Sequence, residues 1–377
     1  MTTLLDIHSV ASEPHPWRLY GGRVAEFLLV GGATPLLFAM SWLLRQRLEL
    51  DALEYAVGFA MFHLAFVIND PHFCVTYLLY YERWGPRAFG SEFSASLRLR
   101  YWGCGIVVPL VLLGWAGFGL ASGSSWLLGL LMQLMLVLVG YHYVKQGFGV
   151  ALVLARRRGV SFHRHERRAI LAHCLAAWGY AWSNPATPAR TVEVRTLIYD
   201  TLPRPVWLEQ SCLAALALSG LWLLVVLLRK IRREGVRPLT TPLVALLVST
   251  WAWSIYANAD PLVRYMVPAL HSLQYGYFVM LLKGNEARER EGEPYFEAPA
   301  GTRLLRLLLF AISLGFLLFH GLPYLLDEAS LHDAQALGPT PFFAAFYAVV
   351  NIHHYFMDSV LWRGDQPGTR YLLPTGR

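Results

Sequence analysis

Charge is what this sequence has little of. Only 15% of its 377 residues are Asp, Glu, Lys or Arg, where a soluble domain carries about 25%. The apolar residues fall in runs of about twenty, long enough to cross a bilayer. That excludes an ordinary soluble globule and predicts an all-α polytopic transmembrane bundle. Cysteine is scarce too: Cys74, Cys104, Cys174 and Cys212 stand far apart, without CxxC spacing. A disulfide framework and a thiolate metal site are therefore not expected. The first residues lack a basic stretch followed by a short apolar core, so no cleaved signal peptide is expected. The net charge of +7 reads as basic inner loops rather than as a nucleic-acid surface.

The runs predict about ten spans, near 23–44, 52–82, 99–120, 125–154, 167–184, 207–229, 240–258, 261–283, 303–326 and 341–362. Strongly basic connections lie at Arg83/Arg87/Arg98, from Arg156 through Arg168, at Arg229–Arg233 and at Lys283–Arg303. Alternating spans put all of these on one side, and the positive-inside rule makes that side cytoplasmic. Both termini then lie inside. Residues 1–22 form an inner N-terminal segment, 284–302 a polar inner loop, and 1–377 one membrane domain. A bacterial cytoplasmic membrane is the expected location.

Within this apolar frame the polar exceptions carry the functional signal, because ionisable groups in spans usually face a bundle interior or cavity. The last span holds Asn351-Ile352-His353-His354-Tyr355-Phe356-Met357-Asp358. On a helix His354 and Asp358 share a face, and His353 points about 100° away. The second span holds His63 and Asn69-Asp70-Pro71-His72, and its proline predicts a break, since the ring removes a helix hydrogen bond and clashes four residues back. The fourth carries Tyr141-His142-Tyr143-Val144-Lys145-Gln146, and the eighth His271-Ser272-Leu273-Gln274-Tyr275.

Depth links these residues. At 1.5 Å per residue, His271 lies about 15 Å from the outer face, His353 and His354 about 18–20 Å, and His142 about 24 Å. Asp70 and His72 lie at about 27–30 Å on a straight helix, and tilt draws them back. The core ligands of a metal site are therefore expected to be His142, His271, His353 and His354. His72, Asp70 and Asp358 are expected to ligate as well or to orient an imidazole, with His63 a further candidate. Gln146 and Gln274 would orient ligands, with Tyr141, Tyr275 and Tyr355 alongside. Lys145 would snorkel to the inner interface or neutralise an anionic head group. His173 and His320 are expected to be hydrogen-bonded core residues, and the run His163–Glu166 a solvated surface.

Imidazole with carboxylate and no thiolate suits Fe, Zn, Cu or Mn. Open positions on helix-borne ligands favour iron, mono- or dinuclear, and oxygen chemistry on an apolar substrate. The histidine-rich spans resemble membrane-bound non-haem iron desaturases and hydroxylases, whose signature is HxxxH with two HxxHH boxes. His353-His354 stands here without the full box. One histidine from each of several helices also resembles the plan of the retinal-forming carotene dioxygenases, which hold one iron on four histidines. The set NDPHF, YHYVKQ, HSLQY and NIHHYFMDSVLW is similar to that of uncharacterised bacterial multi-span proteins. These resemblances imply an oxidoreductase whose partners are a lipid or other apolar substrate from the bilayer and an electron donor, with no nucleic acid. Two other readings fit the same residues: a proton-coupled transporter relaying through His, Asp and Lys, and a haem-binding electron carrier with two axial histidines.

Overall fold

A computed structural model describes residues 16–47, 49–91, 93–234, 240–294, 296–330 and 332–373. The segment 1–15 and the last four residues lie outside the described residues, so the expected placing of the N-terminal segment is not addressed there. The chain is predominantly helical. Its long helical runs are α1 (Gly22–Arg45), α2 (50–81), α3 (Ala95–Ala121), α4 (Ser125–Arg157), α5 (Arg164–Ser183), α6 (Val206–Glu234), α7 (240–255), α8 (Pro261–Glu289), α9 (Ala300–Ala329) and α10 (Pro341–Leu361). Five of them (α1, α3, α4, α6 and α9) are long and apolar enough to cross a membrane.

At four prolines the helix widens ahead of the ring, with a kink at Gly31 in the first case, whereas Pro268 sits within α8 without a wide turn. π-turns occupy Leu28–Gly32, Ala65–Asn69, Gly103–Val107 and Leu317–Gly321. Prolines follow at 35, 71, 109 and 323. In each case the residue four before the proline, whose carbonyl the ring would strike, lies inside the wide turn. The break expected at Pro71 is therefore corrected to a bulge, and α2 continues to Tyr81.

Two other expectations are corrected. The fold is not wholly helical, because β1 (Thr191–Val194) pairs antiparallel with β2 (Leu197–Asp200). Arg195 and Thr196 turn the hairpin at φ 52° and 65°, the left-handed pair that matches strand twist in a two-residue turn. Tyr199 packs so closely on α4 that a Cβ at Gly129 would overlap it. The loop expected to begin at 284 starts later, since α8 runs to Glu289, carried on by the Lys283–Glu286 and Arg290–Glu286 pairs at helical spacing.

The helices sort by burial. Only 17% of the apolar windows of α6 and α9 is buried, and side chains such as Trp207, Leu218, Phe310 and Phe316 face outward. In α10, by contrast, fourteen of 21 residues are buried. A soluble monomer rarely exposes so much contiguous apolar surface, and this outer face is compatible with an integral membrane protein. α10 packs against α4, and the Asp70–Tyr81 half of α2 packs against α10 and α9. Charged groups tie one end of the bundle together: Lys283 to Glu82, Arg157 to the Leu372 carbonyl, Arg370 to Glu289, and Arg158 to Glu26.

Candidate metal centre

Four helices each send histidine into one buried space: His72 from α2, His142 from α4, His271 from α8 and His354 from α10, with Asp358 one turn beyond His354. His142 is the hub. Its Nε2 lies 3.2 Å from Nε2 of His271 and 3.4 Å from Nε2 of His354. Asp358 Oδ2 lies 3.7 Å from His142 Nε2 and 3.5 Å from His354 Nε2. The His72 ring stands 4.6 Å from that of His354 and 5.0 Å from that of His271, centre to centre. Donor atoms of His72, His142 and His354 all fall within 4.8 Å of one another.

Hydrogen bonds within the protein do not complete this arrangement. An Nε2 carries either one proton or one lone pair, so His142 cannot serve both imidazole neighbours as donor and acceptor at once. Among the described residues, His72 Nδ1 and Nε2, His271 Nδ1, His354 Nδ1 and Asp358 Oδ2 are buried and have no hydrogen-bond partner. Buried polar groups are almost always paired, so a His72 nitrogen and Asp358 Oδ2, both open beside the converging Nε2 atoms, leave room for a ligand. The spacing suggests its kind. With metal–imidazole bonds of about 2.0–2.1 Å, neighbouring corners of a tetrahedron stand roughly 3.3–3.4 Å apart. The contacts of 3.2, 3.4 and 3.5 Å have that scale.

Asp358 is aimed by its other oxygen. Trp362 Nε1–H donates to Oδ1 at 3.1 Å, and the hydroxyls of Thr76 and Tyr275 each lie 3.1 Å from the same atom. The two hydroxyls are 2.5 Å from each other. Oδ1 is thus saturated and Oδ2 is turned to the imidazoles, the division seen when outer groups fix a metal-ligating carboxylate. Thr76 and Trp362 were not foreseen from sequence. The signal was there, since Thr76 follows His72 by four and Trp362 follows Asp358 by four, one helical turn in each case.

Other expected members lie elsewhere. His353 does not join the cluster: its Nε2–H donates to the Cys104 carbonyl at 2.9 Å, and its Nδ1 accepts from Tyr77 OH at 3.0 Å. Asp70 does not join either, pairing with His320 Nε2 at 2.8 Å. His63 is exposed, its Nδ1 2.9 Å from the Phe59 carbonyl. Gln146 and Gln274 touch no imidazole nitrogen. Gln146 donates to Gln274 Oε1 at 2.8 Å, and Gln274 donates to the Val30 carbonyl at 2.7 Å. Tyr355 stacks on His142 at 4.8 Å, whereas Tyr141 packs edge-on to Trp178. His173 is hydrogen-bonded, accepting from Trp251 at 3.2 Å and facing Ser219 at 3.3 Å. The run His163–Glu166 opens α5, and its Glu166 is buried against Lys230, so that part is not the solvated surface expected.

Comparison with known proteins finds no matching family model, no similar curated protein and no similar solved structure. The residues themselves therefore carry the functional reading.

Proposed function

We propose that this protein is a membrane-embedded, metal-dependent oxidoreductase, most simply a non-haem iron enzyme acting on a lipid or other apolar substrate. His142, His271, His354 and Asp358 would be the ligands, with His72 as a further one. The observation that carries the reading is the convergence of the His271 and His354 nitrogens on His142 Nε2, with a His72 nitrogen and Asp358 Oδ2 open beside them. Iron held by imidazole and carboxylate supplies oxidation by dioxygen. The protein's part is to hold the ligands, fix Asp358 through Thr76, Tyr275 and Trp362, and keep the site dry inside the bundle. An electron donor would reach it from outside the chain.

In the same reading, the ten helical runs are ten spans, with both termini on the cytoplasmic side. The gathering of Arg157, Arg158, Lys283 and Arg370 at one end supports that orientation. A haem carrier is less well supported, because a macrocycle must fit between two axial imidazoles and these touch nitrogen to nitrogen.

The test is elemental analysis and absorption spectroscopy of the purified full chain. About one or two equivalents of iron, without a Soret band, is expected, and His142→Ala or His354→Ala should remove it. A carefully prepared wild-type sample with no transition metal would overturn the proposal. A Soret band would overturn it in favour of the haem carrier.

A further inference from the structure

One large cavity joins the histidine cluster to the charged end of the bundle. Its volume is about 1330 Å³, beyond the roughly 300–1,000 Å³ of pockets for drug-sized ligands. His142, Asp358, Tyr275 and Tyr355 line its deep end. Its walls are largely apolar, including Leu138, Phe148, Val153, Leu171, Phe278 and Phe356. Lys145 stands one turn from His142, and toward the other end stand Arg100, Arg156, Arg164, Arg167 and Arg168.

The five arginines are exposed, as a basic loop leaves them, and Lys145 is half-buried. None forms an ion pair with a carboxylate among the described residues, whereas Arg363 and Arg370 in the same lining are paired with Asp365 and Glu289. The Lys145 ammonium lies over the Phe148 ring at 5.2 Å. That ring contact offsets part of the cost of an ammonium at such depth. Between Lys145 and Arg156 the helix rises about 16 Å, and between His142 and Arg156 about 21 Å. A ligand with a negative head and a long apolar tail matches both ends of that path.

We infer that this cavity binds a single-headed anionic amphiphile, with its carboxylate or phosphate among the arginines and its chain running inward past Lys145 to His142 and Asp358. The inference deepens the enzyme reading and rests on it for the claim that the chain is the part that reacts. The recognition itself rests on the cavity and its unpaired cations.

The test uses the full chain in phosphatidylcholine nanodiscs, with nitroxide-labelled stearate as probe. Dioleoyl phosphatidate, inorganic phosphate and excess phosphatidylcholine serve as competitors. Stearate should bind saturably. Displacement by phosphatidate would assign the phosphate-headed lipid as a second source of the same head-group chemistry, and its failure would narrow the ligand to the carboxylate. Arg164→Gln, and separately the pair Arg167→Gln with Arg168→Gln, should weaken binding about fivefold for each charge removed. Displacement by phosphatidylcholine as effective as by an anionic amphiphile, or by inorganic phosphate alone, would overturn the inference. So would unchanged affinity in both sets of variants. Metal content is read on the same samples. Iron-free wild-type protein that still selects the anionic head would overturn the enzyme reading and support the cavity assignment. Iron-loaded protein indifferent to the head would overturn the cavity assignment alone.

Discussion

Lys230 and Glu166 are buried where α5 and α6 meet, exposed by only 4% and 5%. Lys230 spends its three N–H donors on the Ser161 carbonyl at 2.8 Å, Glu234 at 2.9 Å and Glu166 at 3.1 Å. Glu166 Oε2 also accepts from the His163 backbone N–H at 2.8 Å. The histidine core is equally buried and treats its polar atoms differently, leaving five without a partner. The Lys230 corner is what a structural charge site looks like when the protein closes it by itself. The histidine core is left open by the described residues, and the proposed metal is what would close it. Burial alone does not separate the two regions; the accounting of lone pairs and protons does.

The largest effect should come from removing metal. A ligand that binds only the folded state stabilises it by about 2.7–4.1 kcal/mol at 100–1,000 times its Kd. Treating the full chain with a strong chelator should lower its unfolding midpoint by an amount corresponding to several kcal/mol, while the same treatment of His142→Ala or His354→Ala changes nothing. Equal midpoints of wild type with and without chelator would erase the contrast drawn above.

Next is the closed corner. Lys230→Met should destabilise the protein by about 3 kcal/mol, because it leaves a buried carboxylate short of its charge partner, yet metal content should stay at the wild-type level. Burial alone would push the Glu166 carboxyl up, but the His163 N–H and Lys230 outweigh that and hold it below the usual carboxylate range. A depressed value means stability present above the unfolded carboxylate range and lost as pH falls through the folded one. Wild type should therefore lose stability on acidification in a way that Glu166→Gln does not. Parallel acid titrations of the two, followed by thermal unfolding, check this.

The carboxylate anchors fall between the regions. Trp362→Phe or Thr76→Val removes a hydrogen bond to Asp358 Oδ1 without removing a ligand. Outer groups of this kind are worth about 10–100-fold in metal affinity, so competition with a calibrated chelator should show a loss in that range. Wild-type affinity in both variants would mean that Asp358 is not a ligand.

How far the sequence could foresee this contrast depends on the residue. The depth argument brought His142, His271 and His354 to one layer, and they do meet. It could not separate His353 from His354, because adjacent residues differ only by a rotation and the partners of His353, Tyr77 and the Cys104 carbonyl, come from other helices. Asp70 was misjudged for a different reason. The π-turn over Ala65–Asn69 alters the helical phase just before Asp70, and Asp70 turns to α9. There Gly315 packs directly on it, a Cβ at that position falling 3.1 Å from the Asp70 backbone. The hairpin is legible in principle from the alternation in TVEV, although prolines on both sides of the stretch favour a loop. The saturation of Lys230 was not legible, since it depends on a carbonyl sixty-nine residues away.

The smallest effect sharpens the comparison most. Asp70 and His320 form a buried carboxylate–imidazole pair in the same bundle, with His320 stacked on Phe66 at 4.1 Å. By side-chain type the pair could pass for part of the metal site, and sequence depth placed Asp70 there. By its hydrogen bond it resembles the Lys230 corner, since the His320 nitrogen and the carboxylate satisfy each other. Asp70→Asn keeps the shape and one acceptor, so it should cost only about 1 kcal/mol and leave metal content untouched. Loss of metal in Asp70→Asn, with the fold intact by circular dichroism, would move Asp70 into the centre and weaken the use of hydrogen-bond satisfaction to tell a structural histidine from a ligating one.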